Sequence, residues 1–387
     1  MKRIYFDHAA TTSVNNEVLN SMMSYFNEYY GNASSLHDEG VVASKAIDKA
    51  RVEVAQLIGS SKDEVYFTSG GTESDNMAIK GIAISLREKG KHIITSSIEH
   101  HAVLNSALSL RKLGYDITVL PVDSNGFIDP SDLKKNIRKD TVLVSIMLAN
   151  NEIGTIQPIE EISKITRENQ VILHTDAVQV VGNYPVDVNL LGCDLLSLSA
   201  HKFYGPKGVG AIYIKKGTMI APLLDGGEHE RGKRSGTYNT PGIVGLGKAS
   251  LMAKEEMEDR IKHVKYLREK IINGIYSIIP EVVLNGDRNK RLPGNINFSI
   301  KYIEGESLIL KLDIKGFAVS TGSACSSNTL KTSHVLTAIG RDPVDAQGSL
   351  RITVGSDNTE EEVDFFLLEL PKVVDELRNM SPIYKKQ

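Results

Sequence analysis

One lysine stands where covalent chemistry can be done. Lys202 lies in Leu198-Ser199-Ala200-His201-Lys202-Phe203-Tyr204-Gly205-Pro206-Lys207-Gly208, where the apolar run Leu195 to Leu198 gives way to polar residues and then to a Gly/Pro turn. Such a turn continues neither strand nor helix, so the pattern predicts a loop. A loop lysine just past a buried strand becomes an amine nucleophile when desolvation or a neighbouring cation lowers its pKa, and a Schiff base with a carbonyl cofactor is the usual product. Taken alone, a lysine in such a loop is more often a solvated surface group. Here, however, other polar groups fall at the ends of other predicted strands: Glu99-His100-His101, Asn150-Asn151-Glu152 and Asp176-Ala177-Val178-Gln179. Together with the Gly-rich turn Ser69-Gly70-Gly71-Thr72 they describe a pyridoxal phosphate pocket.

That turn follows Asp63 to Thr68, which reads as a strand, and leads into the helical Met77-Ala78-Ile79-Lys80. A strand feeding a Gly-Gly turn and then a helix points free backbone N–H groups and the positive end of the helix dipole at one place, which suits a phosphate. The Thr72 hydroxyl can add to it. A tight turn with a polar cap is the plain alternative. No Gly-Lys-Ser/Thr follows, so the turn is not a P-loop, and it lacks the spacing of a dinucleotide fingerprint.

Strand and helix signals alternate around these groups. Residues 17–28 and 38–58 carry helical apolar spacing, with Val42, Ala46, Ala50 and Val54 at four-residue steps. Strands are predicted at 4–6, 92–95, 117–120, 142–147, 171–174 and 195–198, and helices at 102–110 and 159–167. This is the pattern of an α/β layer with a largely parallel sheet, in which ligands sit beyond the C-terminal ends of the strands. The small residues of Asp7-His8-Ala9-Ala10-Thr11-Thr12 suggest a close approach of backbone to another group. The charged helical stretch from Ala253 to Ile275 looks like the link into a second domain, which holds strands at 292–300 and 349–354, a helix at 306–311, and a capped final helix from Thr359. The expected division is a large cofactor-binding domain at 16–252 and a small domain formed by 1–15 and 253–387.

With 387 residues the chain can bury a large core. Its 45 Lys and Arg against 48 Asp and Glu leave a net charge of −3, with no electrostatic footprint for nucleic acid. No apolar segment approaches the roughly 18 residues of a membrane span, and Met1 to Asp7 lacks the apolar region of a signal peptide, so a cytoplasmic protein without membrane contact is expected. The two cysteines, Cys193 and Cys325, exclude a disulfide scaffold or a Cys-rich metal site.

Five blocks carry a resemblance: Phe67 to Asn76, His174 to Gln179, Ser199 to Gly208, Glu230-Arg231-Gly232-Lys233-Arg234-Ser235-Gly236-Thr237, and Gly322-Ser323-Ala324-Cys325. In this order they resemble the signature blocks of the bacterial cysteine desulfurases, over about Tyr5 to Pro371. The resemblance implies the aminotransferase-type fold of pyridoxal phosphate enzymes, α/β, with a mostly parallel seven-stranded sheet flanked by helices and a smaller α+β domain. It also implies a homodimer that takes sulfur from L-cysteine as an enzyme-bound persulfide and leaves alanine. The run after Cys325, through Asn328 and Leu330 to Val335, is similar to the long-loop group that delivers sulfur to proteins.

The resemblance assigns roles position by position. Lys202 matches the lysine that carries pyridoxal 5'-phosphate as a Schiff base and moves the α-carbon proton. Asp176 matches the carboxylate on the pyridine nitrogen, Gln179 the donor to the phenolic oxygen, and His100 the imidazole stacked on the ring, with His101 incidental. Thr72, Ser199 and His201 match phosphate ligands at the turn of Gly71, and Thr237 matches one reaching in from the second subunit. Arg351 matches the clamp on the substrate carboxylate, a task suited to a bidentate guanidinium, with Asn151 beside it. Cys325 matches the thiolate that attacks the substrate sulfur, whereas Cys193 is read as an inert residue in an apolar strand. The chain ends at Gln387, where members that feed the iron–sulfur scaffold protein carry a longer tail, so the protein acceptor stays open between cluster assembly, tRNA thiolation and other destinations. Two other readings compete: a selenocysteine or carbon–sulfur lyase, for which Cys325 would be dispensable, and a non-catalytic α/β binding or scaffold protein.

Overall fold

The apolar runs become strands, and the central ones, such as those at 92–96, 141–145, 195–199 and 210–214, are buried on both faces. The structure is a computed structural model and describes residues 3–322, 332–382 and 384. The chain opens with β1 (Ile4–Tyr5), α1 (Asn16–Asn27) and α2 (Asp38–Ile58), then β2 (Val65–Thr68) and α3 (Gly71–Ser85). There follow β3 (His92–Ser96), α4 (His101–Ser109), β4 (Asp116–Leu120), α5 (Pro130–Asn136), β5 (Thr141–Ser145), α6 (Ile159–Glu168) and β6 (Ile172–Asp176). α7 (Val188–Leu191), β7 (Leu195–Ser199) and β8 (Gly210–Ile214) complete the first layer.

These strands form a seven-stranded sheet in the order β2-β8-β7-β6-β5-β3-β4. The alternation of side chains splits it into two buried faces. Ile94, Val144, Leu196 and Ala211 enter one core with α1, α2 and the start of the next long helix, while Ile93, Leu143, Leu195 and Ile212 enter another with α3 and α4. β3 pairs in parallel with β4 and β5, and β5, β6 and β7 continue in parallel. β8 runs antiparallel to both of its neighbours, β7 and β2. Two reversals cancel, so β2 points the same way as β7. The turn at Gly70 therefore opens on the same sheet edge as the ends of β3, β5, β6 and β7.

α8 (Thr240–Ile278) has 39 residues, about 58 Å of helix. Its first part buries Ile243, Leu246, Ala249 and Met252 against the sheet side. Its last part buries Leu267, Ile271, Ile272 and Ile275 in a separate core. That core is built with β9 (Val282–Leu284), β10 (Asn295–Ile300), α9 (Gly305–Ile314), β11 (Phe317–Ala318), β12 (Ser349–Thr353) and α12 (Glu360–Met380), whereas α10 (His334–Ala338) and α11 (Pro343–Gln347) bury Val335, Leu336 and Ala346 in a smaller cluster with Ile98, Met147 and Ile153. The order β12-β10-β9 is antiparallel, and β1 returns to pair with β11 in parallel. The cap expected at Thr359 is present as a capping box with Glu362.

Candidate active site

Lys202 ends a single 3-10 turn, Ala200–Lys202, directly after β7, rather than lying in an open loop. Its Nζ donates to the carbonyls of Ala9 (2.6 Å) and Ala10 (2.8 Å). The small side chains of Ala9 and Ala10 allow this approach, as their composition suggested. Thr12 fastens the segment by donating its N–H (2.9 Å) and hydroxyl (3.1 Å) to the His201 carbonyl. Gln179 Nε2 donates to the same Ala9 carbonyl at 3.0 Å, so Lys202 and Gln179 face one strip of backbone.

Asp176 closes β6, and its Oδ1 accepts from the Val178 N–H at 2.9 Å. Burial raises its pKa, while the Val178 amide and the Lys202 charge pull it back. Asp75, on α3, is still more deeply placed: burial and then the charge of Asp176 raise its carboxyl further. Behind them His174 bridges Ser145 Oγ (2.8 Å) and Ser197 Oγ (3.0 Å). Burial presses its pKa down to about 3, so it serves as a neutral strut.

α3 starts at Gly71 with Gly70 in the N-cap position and without a side-chain cap. Its first amides therefore lack intrahelical acceptors and suit an anion. Gly70 has a φ of +144°, which glycine tolerates, and a Cβ there would approach Ser199 Oγ to 3.7 Å. The cleft over this helix start is lined by Thr11, Thr72, Ser199, His201 and Lys207. His201 Nδ1 contacts Thr11 Oγ1 at 3.1 Å, and burial, then the charges of Lys202 and Lys207, lowers its pKa to about 4.

The cleft continues over Asp176, Gln179, Lys202, Asn151 and His100. His100 is the N-cap of α4, and its Nδ1 accepts from the Ala102 N–H at 3.1 Å. Burial first, then the charge of Lys202, lowers its pKa to about 4. The imidazole is thus neutral with its proton on Nε2. His101, read as incidental, turns away to pack on His334 with ring centroids 4.7 Å apart.

Arg351 lies in the middle of β12, 3% exposed. Its Nη2 donates to Asp7 Oδ1 (2.8 Å), and its Nη1 to the carbonyls of Asn151 (3.2 Å) and Gly322 (3.4 Å). Thr237 is exposed and lies outside the cleft lining of its own chain. Cys325 lies outside the described residues. Cys193 precedes β7 by two residues instead of sitting within a strand, and burial pushes its thiol up to about 12. Sequence reasoning gave no role to Asp7, Asp75 or Glu99. Glu99 accepts from the Ser96 hydroxyl at 2.6 Å and the Met147 N–H at 3.0 Å, and burial raises its carboxyl to about 8. Its place after β3 was the only available signal; nothing local links Asp7 to Arg351, 344 residues away.

The family model described as aminotransferase class V matches residues 4–366. The chain is 55% identical over 388 residues to the cysteine desulfurase IscS of Dictyoglomus turgidum, covering 100% of this chain and 98% of that protein. The chain belongs to the cysteine desulfurases. Two solved structures place this family membership on the fold as well. A NifS-like protein superposes with a TM-score of 0.91 at 42% identity, over 97% of this chain and all (100%) of that one. SspA in complex with cysteine gives a TM-score of 0.82 at 37% identity, over 92% of this chain and 100% of that one. The aminotransferase-type fold implies pyridoxal phosphate, and the cleft of this desulfurase fits it: an uncapped helix start for a phosphate, a buried carboxylate for a ring nitrogen, and the Lys202 amine in the same lining.

Proposed function

We propose that this desulfurase binds pyridoxal 5'-phosphate and L-cysteine in the cleft, with the work divided among Lys202, Asp176, His100, Arg351 and Cys325. The observation that carries the reading is that Lys202, Asp176, Gln179 and His100 line one cleft with the open start of α3. Bound there, the cofactor supplies an electron sink for negative charge at the substrate α-carbon. Gly71, Thr72, Ser199 and His201 hold the phosphate, and anionic Asp176 keeps a proton on the ring nitrogen. Gln179 would donate to the phenolic oxygen, and the neutral His100 would serve the ring. Lys202 is the point of attachment and moves the proton at the α-carbon. Arg351 and Asn151 hold the α-carboxylate of the substrate.

Cys325 acts as a thiolate. Its sulfur bonds to the substrate sulfur as the Cβ–S bond breaks; the electron pair goes to Cβ, which takes a proton and becomes the methyl group of alanine. The sulfur stays on Cys325 as a persulfide and passes to a protein acceptor such as an iron–sulfur scaffold.

A homodimer fits two further observations. Thr237 is exposed and outside the lining of its own cleft, and α1 exposes Leu19, Met23 and Phe26, with Tyr30 and Leu36 exposed just beyond it. A second copy would cover this apolar stripe and receive Thr237 at its phosphate site. No helix among the described residues is long and apolar enough to cross a membrane, which suits a cytoplasmic enzyme.

The test is to supply the cofactor-loaded protein with L-cysteine labelled in its sulfur, then add candidate acceptors. Alanine, label on the protein and onward transfer to an iron–sulfur scaffold are expected, from a particle of dimeric mass. Pyruvate with free sulfide as the main products, or full activity at monomeric mass, would overturn the reading.

A further inference from the structure

The residues on either side of the segment that carries Cys325 meet one buried carboxyl group. Ser333 donates its hydroxyl to Glu152 Oε2 at 2.6 Å. Gly322 comes so near that a Cβ added to it would lie 3.2 Å from the same oxygen. Its φ of +95° is in the region that favours glycine, so backbone and side-chain space select the same residue.

Glu152 is itself held firmly. It is 4% exposed, its N–H donates to Asn150 Oδ1 (2.8 Å), and its carbonyl accepts from Asn295 Nδ2 (3.3 Å) and Asn297 Nδ2 (3.2 Å). Asn295 and Asn297 belong to β10, so the loop after β5 is tied to the second core at this residue. The Gly322 carbonyl also accepts from Arg351 Nη1. A buried carboxyl is costly unless its oxygens are used, and here one oxygen faces both flanking residues. Burial raises the Glu152 pKa, and Ser333, His334 and Arg351 counter the rise in that order.

We propose that Glu152 is a positioning residue for the sulfur-transfer step. By accepting from Ser333 and packing against Gly322, it anchors the two described residues that flank the segment carrying Cys325, and it acts on the step through them. The inference rests on the desulfurase reading, with Cys325 as nucleophile. Holding the cofactor and L-cysteine falls to other residues, so loss of Glu152 should separate binding from transfer.

The experiment uses cofactor-loaded parent, Glu152→Ala, Glu152→Gln and Ser333→Ala. L-cysteine affinity is read from the change in visible absorption, persulfide on Cys325 by mass, and products as the ratio of pyruvate to alanine. Glu152→Ala is expected to keep L-cysteine affinity within about 3-fold yet form persulfide at least about 10-fold more slowly, with a larger pyruvate share. Ser333→Ala should move the same way by less, and Glu152→Gln, which keeps an oxygen acceptor for Ser333, should stay near the parent. Persulfide formation at the parental rate in Glu152→Ala would overturn the proposal. So would an equal fall in affinity and transfer, which marks general damage to the pocket. Should Glu152→Ala fail to fold, Ser333→Ala decides on the same readouts, and an unchanged product ratio there counts against the proposal. A parent enzyme without persulfide on Cys325 would instead refute the desulfurase reading beneath it.

Discussion

Asp7 Oδ1 lies 2.8 Å from Arg351 Nη2, joining the N-terminal segment to β12 across 344 residues. The pair fixes the plane of the guanidinium, while Nη1 is engaged by the Asn151 and Gly322 carbonyls. Nε is buried with no hydrogen-bond partner among the described residues. A lysine offers one point charge and cannot meet Asp7, two carbonyls and a substrate carboxylate together. Arg351→Lys should therefore lower kcat/KM for L-cysteine by about 10-fold or more, the equivalent of one lost charge-assisted hydrogen bond of roughly 1.5–3 kcal/mol. Steady-state kinetics check this; an unchanged kcat/KM would show that the carboxylate is held elsewhere.

Attachment of the cofactor is open to a direct chemical test. Lys202 Nζ sits against the Ala9 and Ala10 carbonyls in the part of the cleft that holds Asp176, whereas Lys207 lines only the part over the start of α3. Borohydride reduction followed by peptide mapping should leave the cofactor on Lys202. Label on Lys207, or on no lysine, would remove the assignment.

Acid sensitivity should trace in part to His174. Burial holds its folded pKa at about 3, well below the ordinary 6.5 of the unfolded chain. Between those values the unfolded chain binds the extra proton, so the stability His174 contributes is whole above about pH 6.5 and is lost as pH falls toward 3. The urea midpoint of the cofactor-free protein should thus drop less steeply from pH 7 to pH 4 in His174→Gln than in the parent. Parallel slopes would contradict this.

At the free edge of the sheet, Glu230 accepts from Arg51 Nη1 (2.8 Å) and Nη2 (2.7 Å), and from the Phe67 N–H of β2 (2.7 Å). Both side chains are buried. Glu230→Ala strands a buried guanidinium, for which about 3–5 kcal/mol of lost stability is expected. Urea denaturation measures it, and a midpoint equal to the parent's would mean that water reaches Arg51.

The sheet and its loaded edge were legible in the sequence because buried strands read as short apolar runs and their polar ends fall together. α2 and the Thr359 cap were legible for similar local reasons, a four-residue apolar step and a capping signature, although the buried stripe of α2 is Ala43, Ile47, Ala50 and Val54, and Val42 is exposed. β8 passed unnoticed, since Gly210-Ala211-Ile212-Tyr213-Ile214 follows a turn without a polar end of its own. The first turns of α8 were hidden by glycines, which weaken a helical pattern. The fold gives the reason for them: a Cβ at Gly247 would lie 2.6 Å from Ala50, and one at Gly245 would lie 2.6 Å from Met22 Sδ. Contacts made only by the assembled fold, such as Asp7 with Arg351 or Glu152 with Ser333, left no local trace.

The central claim is that sulfur leaves L-cysteine by way of Cys325. The decisive measurement counts alanine, pyruvate and protein-bound persulfide in single turnovers of the parent, Cys325→Ala and Cys193→Ala enzymes. Cys193 is buried with its thiol pushed up to about 12, so Cys193→Ala should match the parent. Cys325→Ala should keep the coloured cofactor and still bind L-cysteine, but form neither persulfide nor alanine. Alanine from Cys325→Ala at the parental rate, or pyruvate as the parent's main product, would contradict the account and favour a lyase.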